Sequence, residues 1–120
     1  MRRDWDTCRR ILAAVADSPD GLGIDQLTTE ADGRRKVGEH IRLLDEAGLV
    51  RATIRAAGSD PFYYCHVSRL TWAGQDWLAA VEGPGVWDRV KERVRTLGGS
   101  VALDTLKAVA LAVASEMLGL

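Results

Sequence analysis

The apolar residues Trp5, Cys8, Ile11, Leu12 and Val15 step by three and four, which is the period of one helical face. Asp4 stands where an N-cap belongs, and Asp6 puts a carboxylate in the first turn. Ser18-Pro19-Asp20-Gly21 ends this helix with turn chemistry. Leu22 to Thr29 supports two readings: a short strand through Leu22 and Ile24, or a single helical turn from Asp25. Asp32 is the expected cap of the next helix, whose face carries Val37, Ile41 and Leu44, with Gly48 just past its end. Leu49–Arg55 then alternates, with Val50, Ala52 and Ile54 on one side and Arg51, Thr53 and Arg55 on the other. After the loop Ala56–Pro61, Phe62–Leu70 predicts a second strand in which Tyr63, Cys65 and Val67 share a face. The two strands make a hairpin.

The rest of the pattern is helical. Thr71 caps a helix to Val81 with Trp77, Leu78 and Val81 inward, and Trp72 is expected to lock the corner between strand and helix. Gly83-Pro84-Gly85 is the sharpest breaker, so the expected organisation is residues 1–82 followed by a helical extension, 83–120. Trp87, Val90, Val94 and Leu97 define a fifth element, ended by Gly98-Gly99. Ser100 or Asp104 opens the last helix, with a stripe of Leu103, Leu106, Val109, Ala110, Val113 and Met117. Leu111 and Leu118, with Ala114 between them, lie almost opposite that stripe and are the expected homodimer interface. The competing account has the fifth element folding over that second stripe within one chain.

Helix, short strand or turn, helix, hairpin, helix is the order of a winged helix. The fold class expected is therefore mainly α with a small β-hairpin: a winged-helix-like domain followed by C-terminal helices. Glu39–Val50 resembles the end of a recognition helix running into the first wing strand of small bacterial regulators. Arg3-Asp4-x-Asp6, His40-x-x-Leu43-Leu44-x-x-Ala47-Gly48-Leu49 and Leu70-Thr71-Trp72-x-Gly74-x-x-x-Leu78 resemble domain-of-unknown-function family 2513. So do the isolated Trp87 and the apolar ending Leu118-Gly119-Leu120, so that the resemblance runs over essentially the whole chain. It implies a winged-helix fold and a bacterial or prophage setting, and it carries no activity or site residue. One departure matters: between Asp17 and Asp32 a full second helix barely fits, which moves weight from DNA reading toward protein binding.

Length and charge narrow the function. The chain has 120 residues, of which 28% are charged, with 16 Lys+Arg against 17 Asp+Glu. That is one ordinary domain whose net charge of -1 argues against coating nucleic acid by bulk electrostatics. A local basic face remains compatible. Arg34, Arg35 and Lys36 occupy the first turn of the expected recognition helix, with Arg42 two turns on. Cations there oppose the helix dipole, which points to phosphate or base contact; the alternative is a solvated patch paired with Glu30, Asp32 and Glu39. Arg51 and Arg55 lie on the hairpin's outer face, but the tip Gly58-Ser59-Asp60 is neutral to acidic, which favours a solvated edge. With 13 Arg among those cations, no Asn and two Gln, base readout would favour guanine.

Catalytic chemistry finds little footing. His40 and His66 have no second ligand at helical or strand spacing, and Cys8 and Cys65 are far apart with no neighbouring base. Gly21-Leu22-Gly23 and Gly83-Pro84-Gly85 lack the third glycine or lysine of a phosphate loop. No enzyme activity, metal or cofactor is expected. Asp104, Lys107 and Glu116 interrupt the apolar tail, so no membrane span is expected and the location read is cytoplasmic. The function expected is a winged-helix protein binding double-stranded DNA as a homodimer, acting as a prophage or mobile-element transcriptional regulator. The alternative is a non-enzymatic protein-interaction module that binds and modulates a host or phage protein.

Overall fold

Asp4 starts the first helix as its chemistry suggests. In the computed structural model, which describes residues 2–99 and 101–119, its carboxylate accepts from the Asp6 and Thr7 amides at 2.9 and 3.3 Å. This caps α1 (Trp5–Ala16), which buries Thr7, Cys8, Ile11, Leu12 and Val15. Gly21 then turns the chain with a φ of 74°; a Cβ there would meet the Val67 carbonyl at 2.2 Å, so only glycine passes. The next segment combines parts of both readings, with Ile24 in the helical turn and not in the strand. A two-residue strand β1 (Leu22–Gly23) runs straight into a single turn, α2 (Ile24–Leu27), with Gln26 Oε1 accepting from the Gly23 amide at 2.8 Å.

Helix α3 (Arg34–Glu46) is capped by Gly33 with no side-chain bond, which corrects the expectation for Asp32. The Asp32 carboxylate turns instead into the molecule, toward Thr7, Arg10 and Lys36. Strands β2 (Val50–Ala57) and β3 (Asp60–Leu70) are longer than their alternation implied, leaving Gly58-Ser59 as the turn. The antiparallel sheet has the order β1-β3-β2. Its register slips at two places, between Arg51 and Ala52 and between Arg55 and Ala57 of β2. The first slip passes over one β3 residue and flips its phase, so Val67 and Leu70 are both buried; the second takes four β3 residues against two of β2 and breaks the alternation, so Phe62 and Cys65 are both buried. Tyr63, expected beside Cys65, is exposed for this reason.

The corner after β3 corrects the reading of Trp72. At the start of α4 (Trp72–Val81), the Thr71 hydroxyl accepts from the Gly74 amide at 3.1 Å and donates to the Gly48 carbonyl. A Cβ on Gly74 would sit 2.0 Å from the Leu49 carbonyl oxygen. Backbone and hydroxyl fill the corner, and Trp72 is turned out of it at 86% exposure.

The chain divides inside α4 into two compact units, Met1–Gln75 and Asp76–Leu120. The first unit's core joins the inward faces of α1 and α3 to Ile24, Leu27 and the buried residues of β2 and β3. In the second unit, α5 (Val86–Thr96) and α6 (Leu103–Met117) pack together, and Arg93 bridges Glu116 with two bonds at 3.0 and 2.8 Å. Trp87 is buried edge-on to Trp77 with ring centroids 6.1 Å apart. Leu97, expected inward, is the C-cap of α5 and is exposed. Ala102, not Asp104, is the N-cap of α6; Ser100 lies outside the described residues.

Candidate nucleic-acid interface

Helix α3 carries four of the cations expected to touch DNA, and the structure ties most of them inward. Arg34 reaches Asp25 at 3.2 Å and Asp60 at 3.4 Å, and it donates to the Phe62 carbonyl, stitching α2 and the hairpin to α3. Lys36 lies 2.8 Å from both Asp4 and Asp32. Arg42 meets Glu39 at 3.5 Å and sits 4.9 Å over the Phe62 ring, a cation–π contact. Arg35 projects furthest, its side chain 78% exposed and 3.8 Å from Glu39. The unfavourable charges at this N-terminus are therefore matched by carboxylates of the chain itself.

Electrostatics around Lys36 are those of a structural lock. Hydrogen bonding from Lys36 holds the Asp32 carboxyl below its usual range against the opposing effect of burial, with help from Thr7 and Arg10. Partial burial opposes ionisation of Asp4, yet Lys36 and the Thr7 and Asp6 amides outweigh it and lower its pKa too. The same two carboxylates raise the pKa of Lys36. His40, fully buried, completes the lock: Nε2 accepts from the Asp4 amide at 2.8 Å, which leaves Nδ1 to donate to the Lys36 carbonyl at 2.8 Å. Both ring nitrogens are thus engaged within the chain. Burial pushes the Cys8 thiol up to about 12 and the Cys65 thiol to about 11, which suppresses thiolate formation in both.

The hairpin's outer face is different. Arg51 and Arg55 are both exposed there, and the register sets Arg69 opposite Arg51, His66 opposite Thr53 and Tyr64 opposite Arg55. Among the described residues, no carboxylate pairs with Arg51, Arg55 or Arg69; the one partner of Arg69 is the adjacent Leu70 carbonyl, 3.1 Å from Nη1. Asp60, the acid at the hairpin tip, is occupied by Arg34 and by the Phe62 amide at 2.9 Å. The result is a face of three arginines, a histidine and a tyrosine, with Asp60 at the tip the one acid on either strand. Reading the sequence missed Arg69, His66 and Tyr64. Tyr64 and His66 were legible from their alternation once the strand was placed, whereas Arg69 joins them only because the slip beside Ser68 rotates it onto their face.

On α6, Leu111 and Leu118 are 52% and 73% exposed and Ala114 is half-buried; α5 does not cover that stripe. Among the described residues, no helix is long and apolar enough to cross a membrane, and no group of three His, Cys, Asp or Glu side chains is placed to hold a metal ion.

A family model described as "Hypothetical protein (DUF2513)" matches residues 2–100, so the match stops short of α6. An uncharacterized protein of Haemophilus influenzae (strain ATCC 51907 / DSM 11121 / KW20 / Rd) is 29% identical over 127 aligned residues, covering 98% of this chain and 99% of the relative. No solved structure matches. With most of its length matched by the family model, the chain belongs to the DUF2513 family.

Proposed function

We propose that this chain is a non-enzymatic winged-helix protein that binds double-stranded DNA, and that it does so through the outer face of its hairpin. The winged-helix reading is supported by the element order α1-β1-α2-α3-β2-β3 and the sheet order β1-β3-β2. The observation that carries the DNA reading is the exposed Arg51, Arg55 and Arg69 on one strand face, with no carboxylate paired to them. A polyanion is the chemistry that suits such a face, because neutralised phosphates release counterions and give affinity without sequence readout. Helix α3 is poorly equipped to read bases: α2 is one turn long, and Arg34 and Lys36 are held by carboxylates. The preference for guanine suggested by arginine content therefore gives way to backbone contact. Leu111 and Leu118 serve as the seat of a homodimer, which would bring two hairpins to one duplex. The setting proposed with this reading is a prophage or mobile-element regulator, as the resemblance implied, working in the cytoplasm, as the sequence pattern implied.

A second reading has its own observation. Trp72 at 86% exposure and Tyr63 at 69% are large apolar groups of the kind that anchor a protein partner. Pull-down of the tagged chain with and without nuclease separates the two, combined with fluorescence anisotropy on a 30-bp duplex. DNA binding predicts a dissociation constant below about 10 μM at low salt and captured material that nuclease releases. Protein partners that survive nuclease, with no duplex affinity, establish the second reading instead. Light scattering that returns only the monomer mass near 13 kDa removes the dimer.

A further inference from the structure

We propose that Arg51 and Arg69 together form a clamp for a single DNA phosphate; the inference rests on the DNA reading above and names the contact it uses. The two residues are directly opposed across the β2–β3 ladder, and both are exposed. Directly opposed side chains have Cβ atoms about 4.5–5.5 Å apart, which puts both guanidinium groups within reach of one phosphate once Arg69 Nη1 gives up the Leu70 carbonyl, 3.1 Å away. Like charges in that position repel, and among the described residues no carboxylate sits between them to relieve it. One phosphodiester does relieve it, since its two free oxygens accept the forked N–H pairs of two guanidinium groups at once.

Two further features suit the surface to a phosphate backbone. Arg55 lies four residues along β2, about 13 Å from Arg51 at strand spacing, and addresses a separate phosphate rather than the same one. Asp60, whose carboxylate at the tip would repel DNA, is tied to Arg34, which it shares with Asp25, so its charge is offset in part. Arg34 thus acts as a positioning residue for the hairpin, without itself facing the ligand.

The test uses the full chain and Arg51→Gln, Arg69→Gln and the double variant, measured on a 30-bp duplex across a salt series and in thermal melts without DNA. Each single variant is expected to weaken binding roughly tenfold. In the double variant the slope of log affinity against log salt falls by about 0.9, the value for one phosphate, and not by about 1.8. In the free protein each single variant melts about 1–4 °C higher, because the cross-strand repulsion is gone. A slope loss near 1.8 with additive effects shows two independent contacts and overturns the clamp. An unchanged slope in a wild type that does bind duplex overturns it as well, leaving the DNA reading standing. A wild type with no duplex affinity removes both.

Discussion

Replacing Asp32 with asparagine tests whether the cluster between α1 and α3 is a lock rather than part of a DNA surface. The Asp32 side chain is 12% exposed and accepts from Thr7 Oγ1 at 3.1 Å, from Arg10 Nε and Nη2 at 3.3 and 3.2 Å, and from Lys36 Nζ at 2.8 Å. Arg10 and Lys36 approach different carboxylate oxygens, so an amide nitrogen on either side meets a cation's N–H groups head-on. The variant loses about two charge-assisted hydrogen bonds, each worth roughly 1.5–3 kcal/mol net, and recovers part of the cost of desolvating the carboxylate. The balance is a destabilisation of about 3 kcal/mol, a large share of the roughly 5–15 kcal/mol that holds a domain folded. For a unit of this size that corresponds to a melting temperature lower by roughly 12–24 °C. Urea titration followed by circular dichroism measures it, and Lys36→Met closes a double-mutant cycle with an expected coupling of about 1–3 kcal/mol. A loss under about 0.5 kcal/mol, or strictly additive single effects, refutes the lock. So does a Lys36→Met protein of unchanged stability that has lost duplex affinity, because Lys36 would then be a DNA contact.

The corner after the hairpin predicts opposite outcomes for neighbouring residues. Gly74→Ala forces a methyl group onto the Leu49 carbonyl and should lower the melting temperature by more than about 10 °C, whereas Trp72→Ala should stay within about 0.5 kcal/mol of wild type. The depressed pKa values of Asp32 and Asp4 contribute stability that is complete above the unfolded carboxylate value near 3.9 and is lost as pH falls through the folded values. The urea midpoint should therefore drop between about pH 5 and pH 2, with a smaller drop in Asp32→Asn. Cys8 and Cys65, both buried with raised pKa values, should resist iodoacetamide at neutral pH in the native protein and react fully in urea, as read by intact mass.

Local chemistry made much of the fold legible from the chain alone. The Asp4 cap, the faces of α1 and α3, the hairpin, and Gly48 ending α3 each depend on residues a few positions apart. Periodicity and capping act over that range. The fate of the charges was legible only where it was local. Asp32 and Glu39, read as partners of the basic cluster, do pair with Lys36, Arg35 and Arg42, but Asp60 and Asp4, which also hold Arg34 and Lys36, lie 26 and 32 residues away from them in sequence. Only the folded chain decides whether a cation finds a carboxylate or a solvent-facing position. The burial of Trp87 and the exposure of Trp72 follow the same logic, because a large ring goes where backbone and neighbours leave room. The candidate DNA face was half legible: alternation placed Arg51 and Arg55 outward, while Arg69 joined them through a register slip that no one-dimensional pattern encodes. A strand's own sequence sets a period of two, but the partner strand sets where that period is interrupted.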